Sequence, residues 1–358
     1  MGHKIWERYF LKETLKMLLF LLCCFYLLYV IIDYSSHSQG FAQADYGIEQ
    51  ISLYYLLNFI RRLDFLLPLA VLLATIRTVT TLNINNELVA LMAGGVSLRR
   101  LMRPFLLIGC ISTVFVLFIS ETGLPKAMSK LQKMEDSSFR KNRQQEEHYK
   151  LKFFNLEDET TVIYQNYHSA KKVFFDVYWL KNIDEIYHIK YLYPHAQEPI
   201  GRHVDVLKRD KYGVMKRSNS YDSYIFYDMH FNPTALLSEL IPPKHQSISQ
   251  LWKNLPNHFS QYSGREAELV STFYYKLAIP LLCILVVLAP AYACTRFKRQ
   301  QPLFMIYAIA IFSLVSYYTL MDAVLILGQH QVVQPFFAIW TPFLLLCPII
   351  FWNYRKIA

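Results

Sequence analysis

NELVALMAGGVS, residues Asn86 to Ser97, lies between two long apolar runs, and what such a segment does there decides the fold. It is too polar to cross a bilayer and too apolar to be a free linker. Asn85 or Asn86 stands where a helix N-cap belongs, and Glu87 falls in the first turn, where a carboxylate favours the helix dipole. Leu88, Leu91 and Met92 share one face at helical spacing, and Gly94 and Gly95 end the segment. The stretch reads as a short amphipathic helix on a membrane surface, an element on which a soluble partner can push.

Composition agrees with that setting. Of 358 residues, 54% are hydrophobic, with 25 Phe and 26 Tyr, and the net charge is +10. Residues 121–268 carry 21 Lys and Arg against 19 Asp and Glu, whereas the remainder carries 16 against 8. The positive excess therefore belongs to the apolar part, the pattern of cytoplasmic loops in membrane proteins; it argues against nucleic acid as a partner. Cys23, Cys24, Cys110, Cys283, Cys294 and Cys347 all lie in or beside apolar runs without metal-ligand spacing, so neither a metal site nor a disulfide framework is expected.

Taken in order, Lys4, Arg8, Lys12 and Lys16 precede the apolar run Met17 to Ile32. Ala42-Gln43-Ala44 resembles a signal cleavage site but lies well past a run that is long for a signal peptide, so a first transmembrane helix is expected. Asp33 to Gln50 has acidic residues and no Lys or Arg, which places it outside. Spans are expected over Tyr54 to Thr80 and Pro104 to Ser120, with Arg77, Arg99, Arg100 and Arg103 on the inner side and Glu121-Thr122-Gly123-Leu124-Pro125 closing the third.

From Lys126 to Ser263 the sequence changes to charges, turn residues and alternating apolar positions. Seven strands are expected: Lys150 to Asn155, Thr161 to Tyr167, Lys172 to Lys181, Glu185 to Tyr193, His203 to Lys208, Gly213 to Asn219 and Ser223 to Met229. With no helical pattern between them, they imply an antiparallel sandwich, jelly roll or open barrel. Lys126 to Gln145 reads as a helical stalk into this domain, and Ser247 to Asn257 as a short helix out of it. Spans over Leu269 to Ala293, Leu303 to Leu327 and Val333 to Phe351 complete the chain, with Arg296, Lys298 and Arg299 inside and Gly328 to Gln331 outside. The expected fold class is a six-helix membrane protein with an inserted all-β domain, divided as 1–125, 126–263 and 264–358, the surface helix lying at 85–97. Both termini are expected on the cytoplasmic side.

No glycine opens GxxxxGK[ST], and HExxH and GxSxG are absent, so no nucleotide site, zinc protease or hydrolase is signalled. The chain is not expected to be an enzyme or to carry a cofactor. Charge in hydrocarbon is expensive, which draws attention to Arg61, Arg62, Asp64 and Lys276 near outer span ends. They either snorkel to the interface or face a cavity that meets an anionic ligand. Arg61 and Asp64, three apart on one helical face, are also placed to pair.

Three stretches resemble the LptF/LptG (YjgP/YjgQ) permeases of the lipopolysaccharide export ABC transporter. NELVALMAGGVSLRRLMRP is similar to the family's coupling helix, with Glu87, Ala93 and Gly95 on its positions; Gly94 departs from the pattern. ELVSTFYYKLAIPLLCILVVLAP resembles the start of the fourth helix, with Lys276 four residues before Pro280. LGQHQVVQPFFAIWTPFLLL matches at Gly328, Pro335, Ala338, Trp340 and Pro342. The resemblance implies a periplasmic jelly roll, an inner-membrane location and pairing with a sister permease. It also implies a cytoplasmic LptB-like ATPase dimer gripping the coupling helix, an LptC-like bitopic protein and an LptA-like periplasmic bridge. On this reading Glu87, Leu88, Leu91, Met92 and Gly95 couple to the ATPase, and Arg61, Arg62 and Lys276 are the candidates for binding lipopolysaccharide. The competing readings are a non-transport scaffold that presents its β domain to envelope proteins, and a permease for another lipid.

Overall fold

The computed structural model describes residues 5–43, 46–138, 152–156, 160–168, 173–194, 198–210, 212–229, 242–256, 262, 264–295 and 302–355. The chain divides into two compact units: Met1–Ser138 with Pro243–Ala358, and Phe139–Pro242.

Among its described residues the first unit holds six helices long and apolar enough to cross a membrane. In chain order its elements are α1 (Ile5–Gln43), α2 (Ile48–Ile84), α3 (Glu87–Ala93), α4 (Leu98–Leu101), α5 (Arg103–Phe118), a π-helical turn (Ile119–Gly123) and α6 (Leu124–Ser138). A 3-10 turn (Pro243–His245), α7 (Ile248–Lys253), α8 (Gly264–Leu288), α9 (Ala291–Thr295), α10 (Leu303–Gln329) and α11 (Pro335–Arg355) follow. Arg296, Lys298 and Arg299 lie outside the described residues, as do 139–145 of the expected stalk, Lys150 and Lys172.

α2 is the central post. It packs against α1, α5, α6, α8, α9 and α10, and Ala70, Val71, Ala74 and Ile76 are fully buried on it. By contrast α1 leaves Leu19, Leu27, Leu28, Ile31 and Ile32 exposed, as a helix facing hydrocarbon or another membrane protein does. α5 and α8 pack tightly at Gly109, where an added Cβ would lie 2.9 Å from the Cys283 carbonyl oxygen. One turn on, Thr113 Oγ1 donates to the Pro280 carbonyl at 3.0 Å, so the third and fourth spans are joined by both packing and a buried hydrogen bond.

The helices outrun the apolar stretches that predict them. α1 continues through Asp33 to Gln43 because Tyr29 and Tyr55 donate to the Asp33 carboxylate at 3.1 and 3.3 Å, giving a polar turn the partners it would otherwise find only in water. The third span does not close at Glu121–Pro125. It passes through the π-helical turn into α6, so the helical path runs on past Pro125. Pro290 does break the chain, separating α8 from α9. The short helix expected after Pro242-Pro243 covers Ile248–Lys253, started by a capping box between Ser247 and Gln250.

The second unit is an antiparallel sheet of six described strands: β1 (Lys152–Asn155), β2 (Thr161–His168), β3 (Val173–Asn182), β4 (Glu185–Tyr193), β5 (Ile200–Arg209) and β6 (Met215–Ile225). Each pairs with its neighbour in sequence. Six described strands stand where seven were expected because β6 runs through the expected break at Ser220 to Asp222, where Ser220 and Tyr221 pair with β5 and no turn is needed. The buried face carries Val162, Phe174, Val177, Trp179, Ile189, Leu192 and Val204.

That face breaks strand parity in a regular way. Phe174 and Val177, Ile189 and Leu192, and Gly201 and Val204 are buried pairs three apart, not two. The skipped residues Asp176, Lys190 and His203 stand opposite one another across β3, β4 and β5, and Asp176 and His203 have left-handed φ of 54° and 51°. One extra residue per strand in a single row creases the sheet and keeps its apolar side turned inward on both flanks.

Candidate functional site

Two places in the helical unit combine exposure with chemistry. The first is α3. Its N-cap residue Asn86 takes a left-handed conformation without a side-chain cap. Its C-terminus is closed by the paired bonds Gly95 N–H to Met92 O (2.9 Å) and Val96 N–H to Leu91 O (3.1 Å), with Gly95 at φ +82°. This is a Schellman closure, so the double glycine ends the helix tightly.

Burial sorts the predicted coupling residues. Leu88 is 3% exposed, and Leu91 and Met92 are half-buried against the same core, as is Val96 beyond the cap. These side chains anchor α3 to the helical unit. The outward surface consists of Ala90, Ala93, Gly94 and Gly95, with Glu87 at its edge. Glu87 accepts from Asn85 Nδ2 at 3.4 Å and faces the Tyr9 hydroxyl of α1. The exposed side of α3 is thus built of small residues with one carboxylate at its rim.

The second place is a cavity of about 250 Å³ beside the middle of α2. Arg61 and Asp64 line it from α2, Lys244 and His245 from the 3-10 turn, Thr272, Tyr275 and Lys276 from α8, and Asp322 from α10. Lys276 Nζ donates to the Gln246 carbonyl at 2.5 Å, Tyr275 donates to Asp322 at 2.9 Å, and Tyr318 donates to the Asp64 backbone carbonyl at 3.0 Å. Burial, with Arg61, Lys276 and Lys244 nearby, pushes the His245 imidazole down to about 4. Beside it the lining sets Arg61, Lys244 and Lys276 against Asp64 and Asp322.

The structure brings Arg61 and Lys276 together here and sends Arg62 elsewhere. The Arg62 guanidinium lies 4.7 Å from the centre of the Tyr29 ring, beside the Tyr29–Asp33–Tyr55 network, and so staples α1 to α2. Lys244, His245 and Tyr275 were missed in the sequence, where nothing marks them. Lys244 and His245 follow a Pro-Pro pair, and only the fold returns that segment to the fourth span. A second hollow, of about 420 Å³, lies among α2, α8, α10 and α11; it is lined by apolar residues such as Leu72, Leu282, Met305 and Ile306 and, among the described residues, by no charged side chain. Among the described residues no cluster of His, Cys, Asp and Glu is arranged to hold a metal ion.

Compared with known proteins, residues 8–356 match the model of the family described as "Lipopolysaccharide export system permease LptF/LptG". No curated protein matches the chain.

Proposed function

The chain belongs to the LptF/LptG family of lipopolysaccharide export permeases, and on that premise we propose that it is the membrane subunit through which a separate ATPase drives lipopolysaccharide out of the inner membrane. It is a multi-pass transport component of that membrane. In our reading both termini and α3 are cytoplasmic, the β unit is periplasmic, and the protein works beside a sister permease. An LptB-like ATPase dimer seats on α3, and an LptC-like protein and an LptA-like bridge receive the lipid.

The observation that carries the reading is the division of labour on α3. Its leucines and Met92 hold it to the helical unit, while Ala90, Ala93 and the glycines leave a surface open to a rigid partner. A scaffold has no use for such an element. The outer cavity supports the cargo: Arg61, Lys244 and Lys276 give an anionic lipid head a cationic lining, and Asp64 and Asp322 keep that lining from trapping it. Chemistry on the lipid is not required of this chain. Its residues hold, release and move, and the partner hydrolyses ATP.

The test is purification of the tagged chain from its native membrane in mild detergent, with an ATPase assay and a lipid-release assay on the product. An ATPase subunit and a second permease should copurify and release lipopolysaccharide when ATP is added. Recovery of the chain with envelope proteins alone, from a detergent shown to preserve such complexes, would favour the scaffold.

A further inference from the structure

Asn83 lies in the last turn of α2, four residues before Glu87, and is 6% exposed. Its Nδ2 donates to the Cys294 carbonyl at 2.9 Å, joining positions 211 apart in sequence. Cys294 lies in α9, which follows the fourth span. Asn83 therefore ties the end of α2 to a helix from the other half of the chain. Around this bond the same stretch of α2 is held again: Thr80 is 1% exposed, and Tyr307, near the start of α10, lies against its hydroxyl. Tyr9 of α1 faces Glu87 from a third side.

An apolar contact between helices slips at little cost, because one methyl replaces another. A buried amide bonded to a backbone carbonyl does not, since a slide breaks that bond away from water. We infer that Asn83 is a positioning residue of the transport stroke: its bond to Cys294 makes α3 and the inner end of the fourth span move as one body. This rests on the exporter reading and deepens it, for it says how a push on α3 reaches the half of the chain that holds Lys276.

The experiment uses the complete complex with Asn83→Asp, which keeps the shape but loses the amide donor, and Asn83→Leu, which is apolar and of similar size. Three quantities are read: lipid released per ATP hydrolysed, the thermal midpoint, and hydrogen exchange over 84–95 and 291–295. We expect ATP hydrolysis to persist, release per ATP to fall at least about fivefold, and exchange to rise in both segments together. Release and hydrolysis falling in proportion, with a lowered midpoint, would reduce Asn83 to a stability residue; an unchanged release per ATP would overturn the proposal outright. Should both variants fail to assemble, the wild-type complex decides. A non-hydrolysable ATP analogue should alter exchange in both segments, and a response confined to 84–95 would refute the joint. A wild-type complex that releases no lipid with ATP would fail the exporter reading instead, and exchange in Asn83→Leu would still report on the joint.

Discussion

Lys276 in the fourth span donates to the main-chain carbonyl of Gln246, in the turn by which the chain re-enters the helical unit. A lysine that has given one N–H to this bond still offers two donors to the cavity, and in doing so it fixes the backbone carrying Lys244 and His245. Lys276→Met should therefore do two things: lower crosslinking of lipopolysaccharide to the cavity severalfold and raise hydrogen exchange over 243–250, a charge-assisted bond being worth about 1.5–3 kcal/mol. Lost crosslinking with unchanged exchange would mean that the bond to Gln246 does not order the turn.

Arg61 and Arg62 are adjacent in sequence and differ in task. Arg61 lines the cavity, while Arg62 sits over Tyr29 beside Asp33. Arg61→Glu should weaken lipid loading about tenfold, the equivalent of ~1.4 kcal/mol, with little change in thermal midpoint. Arg62→Glu should loosen α1 from α2 by placing a carboxylate near Asp33, at a cost of about 1–2 kcal/mol for the lost cation–π contact and the new repulsion. Measuring lipid crosslinking and thermal unfolding for both separates the roles; equal effects of the two on loading would contradict the division.

His245 makes stability depend on pH in a stated direction. Its folded value of about 4 lies below the ordinary histidine value of 6.5, so between these limits the unfolded chain binds more protons and stability rises with pH. The neutral ring is accommodated without loss above pH 6.5, and stability falls as the pH is lowered from 6.5 towards 4. The ring is only partly shielded, so the effect should be on the order of 1 kcal/mol once water's screening is allowed for. Thermal unfolding in detergent at pH 7.5 and pH 5 checks it. His245→Gln should flatten the difference, and a variant as pH-sensitive as the wild type would assign the effect to other groups.

Much of this was legible in the sequence, and the reasons differ by level. Six spans and the inserted strands are carried by hydropathy and alternation, which many residues repeat. The crease in the sheet was not, because Asp176 and His203 are ordinary strand residues until registers across three strands align them. The Asn83–Cys294 bond was hidden for a related reason: Asn83 is one polar residue near a helix end, and its partner is a backbone atom 211 positions away. The cavity lined by Arg61 and Lys276 was half visible. Arg61 and Lys276 stand out because charge is rare in apolar runs, but nothing local distinguishes Arg61 from Arg62, and they separate only when α1 packs on α2. On α3 the helical spacing gave the apolar face correctly, while which way that face turns is a tertiary matter.

That orientation yields the sharpest contrast between neighbouring positions. Leu88 is buried in the core shared by α2 and α5, so Leu88→Ala removes most of a packed side chain and should destabilise the protein by about 2–4 kcal/mol. Any loss of ATPase binding would then follow from a misplaced helix. Ala90 is exposed, and Ala90→Arg should leave stability within about 0.5 kcal/mol while blocking the seat against a rigid partner. Glu87→Arg belongs with Ala90→Arg, since Glu87 stands at the rim; it should preserve the fold and abolish ATP-driven lipid release. The discriminating measurement is unfolding and ATPase copurification for all three variants. If Ala90→Arg and Glu87→Arg both retain the ATPase and normal release, α3 is not where force enters the chain.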